Sequence, residues 1–245
     1  MAYGCPPQAV TARFVMDGEE HEVRYGPGGD FESPMDFFPP CKASLRRPCQ
    51  GMLGLLESLG ALSGLPLDAA GCLHVALPFC GSAQELPVLS EFLTQQVLGR
   101  NGVRQISMLG SDVEDWGPKG GYWQQKELFA RRRTPHLRLR FAQLDLAATQ
   151  HPAASLMFAI HPECTVNREM WRRILGNIIS ATQGLCEFKA RGEVVATFAE
   201  DEAKVVADVG HSLQRRCQIH LNPFYGPGCT APPPPSMKYI VLVAK

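Results

Sequence analysis

From residue 73 onward, short apolar runs of strand length alternate with amphipathic stretches of helix length, and this alternation constrains the fold more than any other feature. Residues 73–79 (LHVALPF), 104–109, 137–142, 155–160 (SLMFAI), 184–190, 217–221 and 238–244 (KYIVLVA) read as strands. Residues 85–98, 119–132, 168–181 and 200–213 read as helices between them, from apolar positions three and four apart. A strand buried on both faces is an unbroken apolar run, and intervening helices are the crossovers that parallel neighbours need. The expected fold is α/β: a doubly wound, mostly parallel sheet of seven strands. The last two strands are joined by a proline-rich segment, 222–235, in place of a helix. The final strand is therefore expected to run antiparallel to its neighbour.

The first 70 residues read differently, as an N-terminal extension packed on the domain formed by residues 71–245. Residues 10–16 and 19–25 flank Asp17-Gly18, a pair that supplies the positive φ angles of a two-residue turn, so a hairpin is expected. Residues 26–48 are dense in glycine, proline and aromatics, which suits a loop packed over the body. Leucines 53, 55, 56, 59 and 62 recur at helical spacing, placing a helix over about residues 50–62.

Composition narrows the function. Lys+Arg and Asp+Glu both total 24, so no overall charge draws the chain to nucleic acid or to an anionic membrane. Its one basic cluster, Arg131 to Arg133 with Arg138 and Arg140, reads as a solvated face. No apolar run approaches the length of a membrane span, and the N-terminus lacks the pattern of a secretory signal. The nine cysteines are odd in number, irregularly spaced and free of C-x-x-C. Reduced thiols in a cytoplasmic setting are expected, and no metal site. Oligomeric state is not legible.

In open parallel sheets, ligands bind beyond the carboxyl ends of the strands, where strand order reverses. After the first core strand comes Phe79-Cys80-Gly81-Ser82-Ala83-Gln84-Glu85, a turn small enough at Gly81, Ser82 and Ala83 for close backbone approach, leading into the positive end of a helix. Asp112, with Glu114 and Asp115 nearby, follows the second strand, where a carboxylate accepts bonds from ribose hydroxyls. Asp145 follows the third and suits an adenine amino group. Each acid reads equally as a solvated loop residue or a helix cap. His161 and Glu163 follow the fourth strand. A histidine titrates near neutrality and suits a general base; packing at a strand end is the other reading, and both stay open. Trp116, Tyr122, Trp123, Asn222 and Tyr225 lie in or beside loops over the same edge and suit an apolar or flat small molecule. The fingerprint G-x-G-x-x-G is absent after the first strand, which disfavours a dinucleotide enzyme.

The strand count, the Cys80-Gly81-Ser82-Ala83 turn, Asp112, Asp145 and the hairpin-like last strands resemble the class I S-adenosylmethionine-dependent methyltransferases, a Rossmann-like family. The resemblance covers roughly residues 73–245. It implies S-adenosylmethionine as cofactor, with Phe79, Cys80, Gly81, Ser82, Ala83 and Glu85 around its methionine part. It implies Asp112 at the ribose, Gln143, Leu144 and Asp145 at the adenine, and Val113 and His161 also at the donor site. It further implies methyl transfer to a small-molecule acceptor, with His161 and Glu163 as catalytic residues. Two positions depart from the family pattern. Leu77 stands where the family has an acid, and Phe79 where it has a glycine. A methyltransferase-like module that binds without catalysing is the alternative these departures permit.

Overall fold

The computed structural model describes residues 10–16, 19–25, 52–81, 83, 85–113, 123, 127, 135–160, 168–191, 194–195, 200–221 and 237–244. Strands β1 (Val10–Met16) and β2 (Glu19–Tyr25) form the expected hairpin, with Val10 opposite Tyr25 and Met16 opposite Glu19. Helix α1 spans 52–58. Then follow β3 (Cys72–Pro78), α2 (Leu86–Gln96), β4 (Gln105–Asp112), β5 (Leu137–Gln143), β6 (Ala154–Ile160), α3 (Arg168–Ala181) and β7 (Thr182–Arg191). The chain closes with β8 (Val194–Val195), β9 (Glu200–Asp201), α4 (Glu202–Ser212), β10 (Arg216–Leu221) and β11 (Met237–Val243). The expected loop over residues 26–48 lies outside the described residues, as does most of the expected helix 119–132, of which Trp123 and Glu127 are described and helical.

Seven strands make one sheet in the order β10-β11-β7-β6-β3-β4-β5. Neighbours are parallel from β7 to β5, while β11 is antiparallel to both β7 and β10. The final strand is thus antiparallel, as its helix-free connection implied, but it inserts between β7 and β10 rather than extending the sheet. The chain runs outward from β3 through β4 to β5, then returns to place β6 on the other side of β3. Strand order therefore reverses between β3 and β6.

The pleat sorts side chains onto two faces. Leu73, Val75 and Leu77 of β3 join a core with Met52, Leu53 and Leu56 of α1, Leu89 and Leu93 of α2, and Trp123. Ala76 points the other way, into a second core built on α3 and α4. On α3 the buried residues are Trp171, Ile174, Leu175, Ile178 and Ile179, the i, i+3, i+4, i+7, i+8 stripe of a helix with one face on a sheet. Helices thus cover both faces of the sheet.

Candidate functional site

The segment leaving β3 is bent by three residues in the left-handed region. Phe79 has φ +60, Gly81 +49 and Ala83 +59. Glycine adopts this conformation freely, whereas a side chain pays for it, most of all a bulky one. Left-handed residues at these positions turn the chain sharply, and here the turn is braced from three sides. The Cys80 N–H donates to Ser111 O at 3.0 Å. The Gly81 N–H donates to Asp112 Oδ2 at 2.9 Å. The indole N–H of Trp123 donates to Gly81 O at 3.1 Å. Within the turn, the Ala83 N–H donates to Cys80 O at 2.6 Å.

The two departures in the turn have clear packing outcomes. Leu77 is a core residue, 3% exposed, so this position presents nothing to a ligand. The ring of Phe79 lies against Trp171 of α3, centroids 5.7 Å apart, and its bulk is taken up on the second face. Gly110, one strand over, leaves the room that the turn needs. A Cβ there would lie 2.6 Å from the Phe141 ring and 3.0 Å from Cys80 Sγ.

Asp112 is the last residue of β4, one step earlier than a loop position. Its carbonyl accepts from Leu144 N–H at 2.7 Å, and Gln143 Nε2 donates to Val113 O at 2.9 Å. These bonds zip the ends of β4 and β5 together beside the turn. Val113 is 61% exposed, an apolar surface at the rim beside the Asp112 carboxylate. Asp145 begins a turn of its own: Oδ1 accepts from Ala147 N–H at 2.9 Å, and its carbonyl accepts from Ala148 and Thr149. No helix follows, so Asp145 caps a loop turn, through one of its two oxygens. Leu144 is partly buried against the second core.

The structure brings Phe79, Cys80, Gly81, Ala83, Glu85, Asp112, Val113, Gln143, Leu144 and Asp145 to the ends of three adjacent strands, β3, β4 and β5. Helix α2 gives less than its position suggests. The Leu86 N–H already donates to Ala83 O, and Pro87 in the first turn has no N–H. Trp123, expected over an acceptor, is 6% exposed and stacked on Phe141 at 5.2 Å, so it braces the turn from behind. Ser82, Trp116, Tyr122, His161, Glu163, Asn222 and Tyr225 lie outside the described residues.

Sequence reading missed how the turn is held. The Gly81–Asp112 bond and the Trp123 brace join residues 31 and 42 positions apart, and no local pattern encodes them. A separate cleft of about 350 Å3 lies at the opposite end of the sheet, between residues 59–66 and strands β7, β10 and β11. Aliphatic side chains line it together with the polar Gln183, Arg216 and Gln218, and it stands away from the strand ends where order reverses.

No family model matches the sequence, and no curated protein matches it. Solved structures do match in fold. The chain is similar to magnesium protoporphyrin IX methyltransferase from Synechocystis PCC 6803 with bound SAH, at 11% identity and TM-score 0.52, covering 84% of this chain and 85% of that one. It is similar to the citrinin polyketide synthase CMeT domain, at 12% identity and TM-score 0.53, covering 87% of this chain and 57% of that one. It is similar also to the methyltransferase domain of bacterial CtHen1-C, at 10% identity and TM-score 0.51, covering 81% and 97%. The fold is that of the class I methyltransferases. In methyltransferase terms, the braced turn, Asp112 and Asp145 are the three strand ends at which the resemblance placed the donor. Among the described residues, no helix is long and apolar enough to cross a membrane.

Proposed function

We propose that the protein binds S-adenosylmethionine across the ends of β3, β4 and β5 and transfers its methyl group to a small-molecule acceptor. The observation that carries this reading is the Gly81 N–H to Asp112 Oδ2 bond of 2.9 Å. It fixes a left-handed, small-residue turn directly against an acid at the next strand end. That is the juxtaposition an adenosine needs, with its sugar at the acid and its chain over the turn. That bond holds the carboxylate at the strand end, where ribose hydroxyls would donate to its oxygens.

Bound there, the cofactor supplies an electrophilic methyl group. The chain's own groups do the rest. Asp112 accepts from the ribose hydroxyls, and the exposed Val113 side chain gives the adenine an apolar surface. Gln143 and Leu144 hold the β5 end against β4, and Asp145 has a second oxygen for the adenine amino group. Glu85, at the start of α2, takes the ammonium role that buried Leu77 cannot. His161 follows the last residue of β6 in sequence and serves as the base that removes the acceptor's proton, with Glu163 orienting it. Trp116, Tyr122, Asn222 and Tyr225 contact the acceptor, and Trp123 holds the turn on which donor alignment depends.

The second reading, a module that binds without catalysing, is favoured by Leu77 and by Phe79, whose ring occupies space against Trp171. Calorimetric titration of the full chain with S-adenosylhomocysteine and, separately, NAD distinguishes the readings. Binding of the first and not the second is expected. Silence for both sinks the donor assignment and leaves the interaction module.

A further inference from the structure

At the amino end of β3 the chain gathers three different ligand types that no catalytic step uses. Asp68, Cys72 and His74 each offer one donor atom, and these atoms all lie within 4.8 Å of one another. Cys72 and His74 are two apart on a strand, so both project from the same face. Asp68 arrives from the connector before the strand and is fixed by a tight turn. Its Oδ1 accepts from the N–H groups of Ala70 and Cys72, each at 2.9 Å. The turn needs Gly71 at φ +76, where a Cβ would meet Gly102 O at 2.9 Å. With Oδ1 held by the backbone, Oδ2 is aimed at His74 Nε2, 3.0 Å away.

We propose that Asp68, Cys72 and His74 form a binding site for a borderline-soft divalent cation, with zinc the best match. The donor set is one thiolate, one imidazole and one carboxylate, the three ligand types zinc takes, and it disfavours magnesium or calcium, which take oxygen alone. Cys72 is buried while His74 and Asp68 are 44% and 41% exposed, so a cation enters from solvent and ends with sulfur behind it and water in the fourth position. Binding replaces the Cys72 S–H bond with a sulfur–metal bond and releases the proton to solvent. A turn that served only to start a strand would need Oδ1. It would need neither the second oxygen on the imidazole nor a sulfur within reach of both.

The site lies at the far end of β3 from the Gly81 turn, roughly 20 Å along the strand at 3.3 Å per residue. It is therefore independent of the donor assignment, and its role is to clamp the connector before β3 to the sheet. In sequence it is the spacing Asp68-x3-Cys72-x-His74, which matches no paired metal motif.

Cobalt(II) added to the reduced full-length chain tests it, read by sulfur-to-metal charge-transfer absorption and by displacement with zinc. One such band per chain is expected. It should vanish in Cys72→Ala, persist in Cys217→Ala, and require roughly tenfold or more added metal in His74→Ala and Asp68→Asn. A missing band, or one that survives in Cys72→Ala, overturns the proposal. If Cys72→Ala fails to fold, unchanged affinity in both His74→Ala and Asp68→Asn overturns it equally, because those side chains are half-exposed and their loss leaves the core intact.

Discussion

Phe79 is the residue at which the proposed donor turn is most unlike a turn built from glycine. Its φ of +60 costs about 1–2 kcal/mol relative to a right-handed conformation, and its ring against Trp171 supplies burial that offsets this. The two contributions separate on substitution. Phe79→Ala loses the ring and keeps the strain, whereas Phe79→Gly loses the ring and relieves it. The glycine variant should be the more stable of the two by about 1 kcal/mol, against the usual order of these residues, and denaturant midpoints measure the difference. At the same scale, Glu187 lies wholly buried in the sheet with neither carboxylate oxygen hydrogen-bonded. Burial raises its pKa well above 4.5, so the folded protein holds this proton more tightly than the unfolded chain does. Stability from this group is fully present below about pH 4.5 and is lost as pH rises through the folded value. Glu187→Gln carries no such proton. Its melting temperature relative to the parent should therefore climb as pH rises above about 4.5, and a constant gap would contradict this.

Elements were legible where periodicity or turn chemistry spoke. The α3 stripe gave its bounds to the residue, and Asp17-Gly18 announced the β1–β2 hairpin. The two-residue strands β8 and β9 carry no period to read. The insertion of β11 between β7 and β10 is a choice of partners, which a strand's own residues do not record. Nor does a sequence show that Phe79 and Ala83 share the left-handed conformation of Gly81, because neither residue type signals it. Close approach between elements is similarly hidden until a missing side chain is seen to be required. A Cβ on Gly184 of β7 would stand 2.5 Å from Ser155 O and 2.7 Å from Pro66 Cδ. Backbone on one side leaves little room to yield, so Gly184→Ala should cost roughly 1–3 kcal/mol, seen as a lower unfolding midpoint at unchanged m-value. Gly110→Ala should disturb the donor turn instead, since the atoms in its way are the Phe141 ring and Cys80 Sγ. It is expected to weaken S-adenosylhomocysteine binding more than Gly184→Ala does at equal loss of stability, and equal binding in the two variants would refute this.

At the scale of the whole molecule, the strand order places the reversal beside β3, and the acids at the ends of β4 and β5 fall next to it. The candidate site was legible to this extent because parallel-sheet geometry fixes where ligands bind before any side chain is considered. What the sequence withheld is the tie between parts, in which Asp112, the proposed ribose partner, also anchors the turn. That dual role dictates the variant to use. Asp112→Asn keeps an oxygen for the Gly81 N–H but loses the charge, worth about 1 kcal/mol or somewhat more for each hydroxyl of the proposed ribose contact. The direct measurement is the dissociation constant of S-adenosylhomocysteine for Asp112→Asn against the parent chain. A rise of roughly tenfold to a hundredfold is predicted, and an unchanged constant would show that no ribose lies at the end of β4.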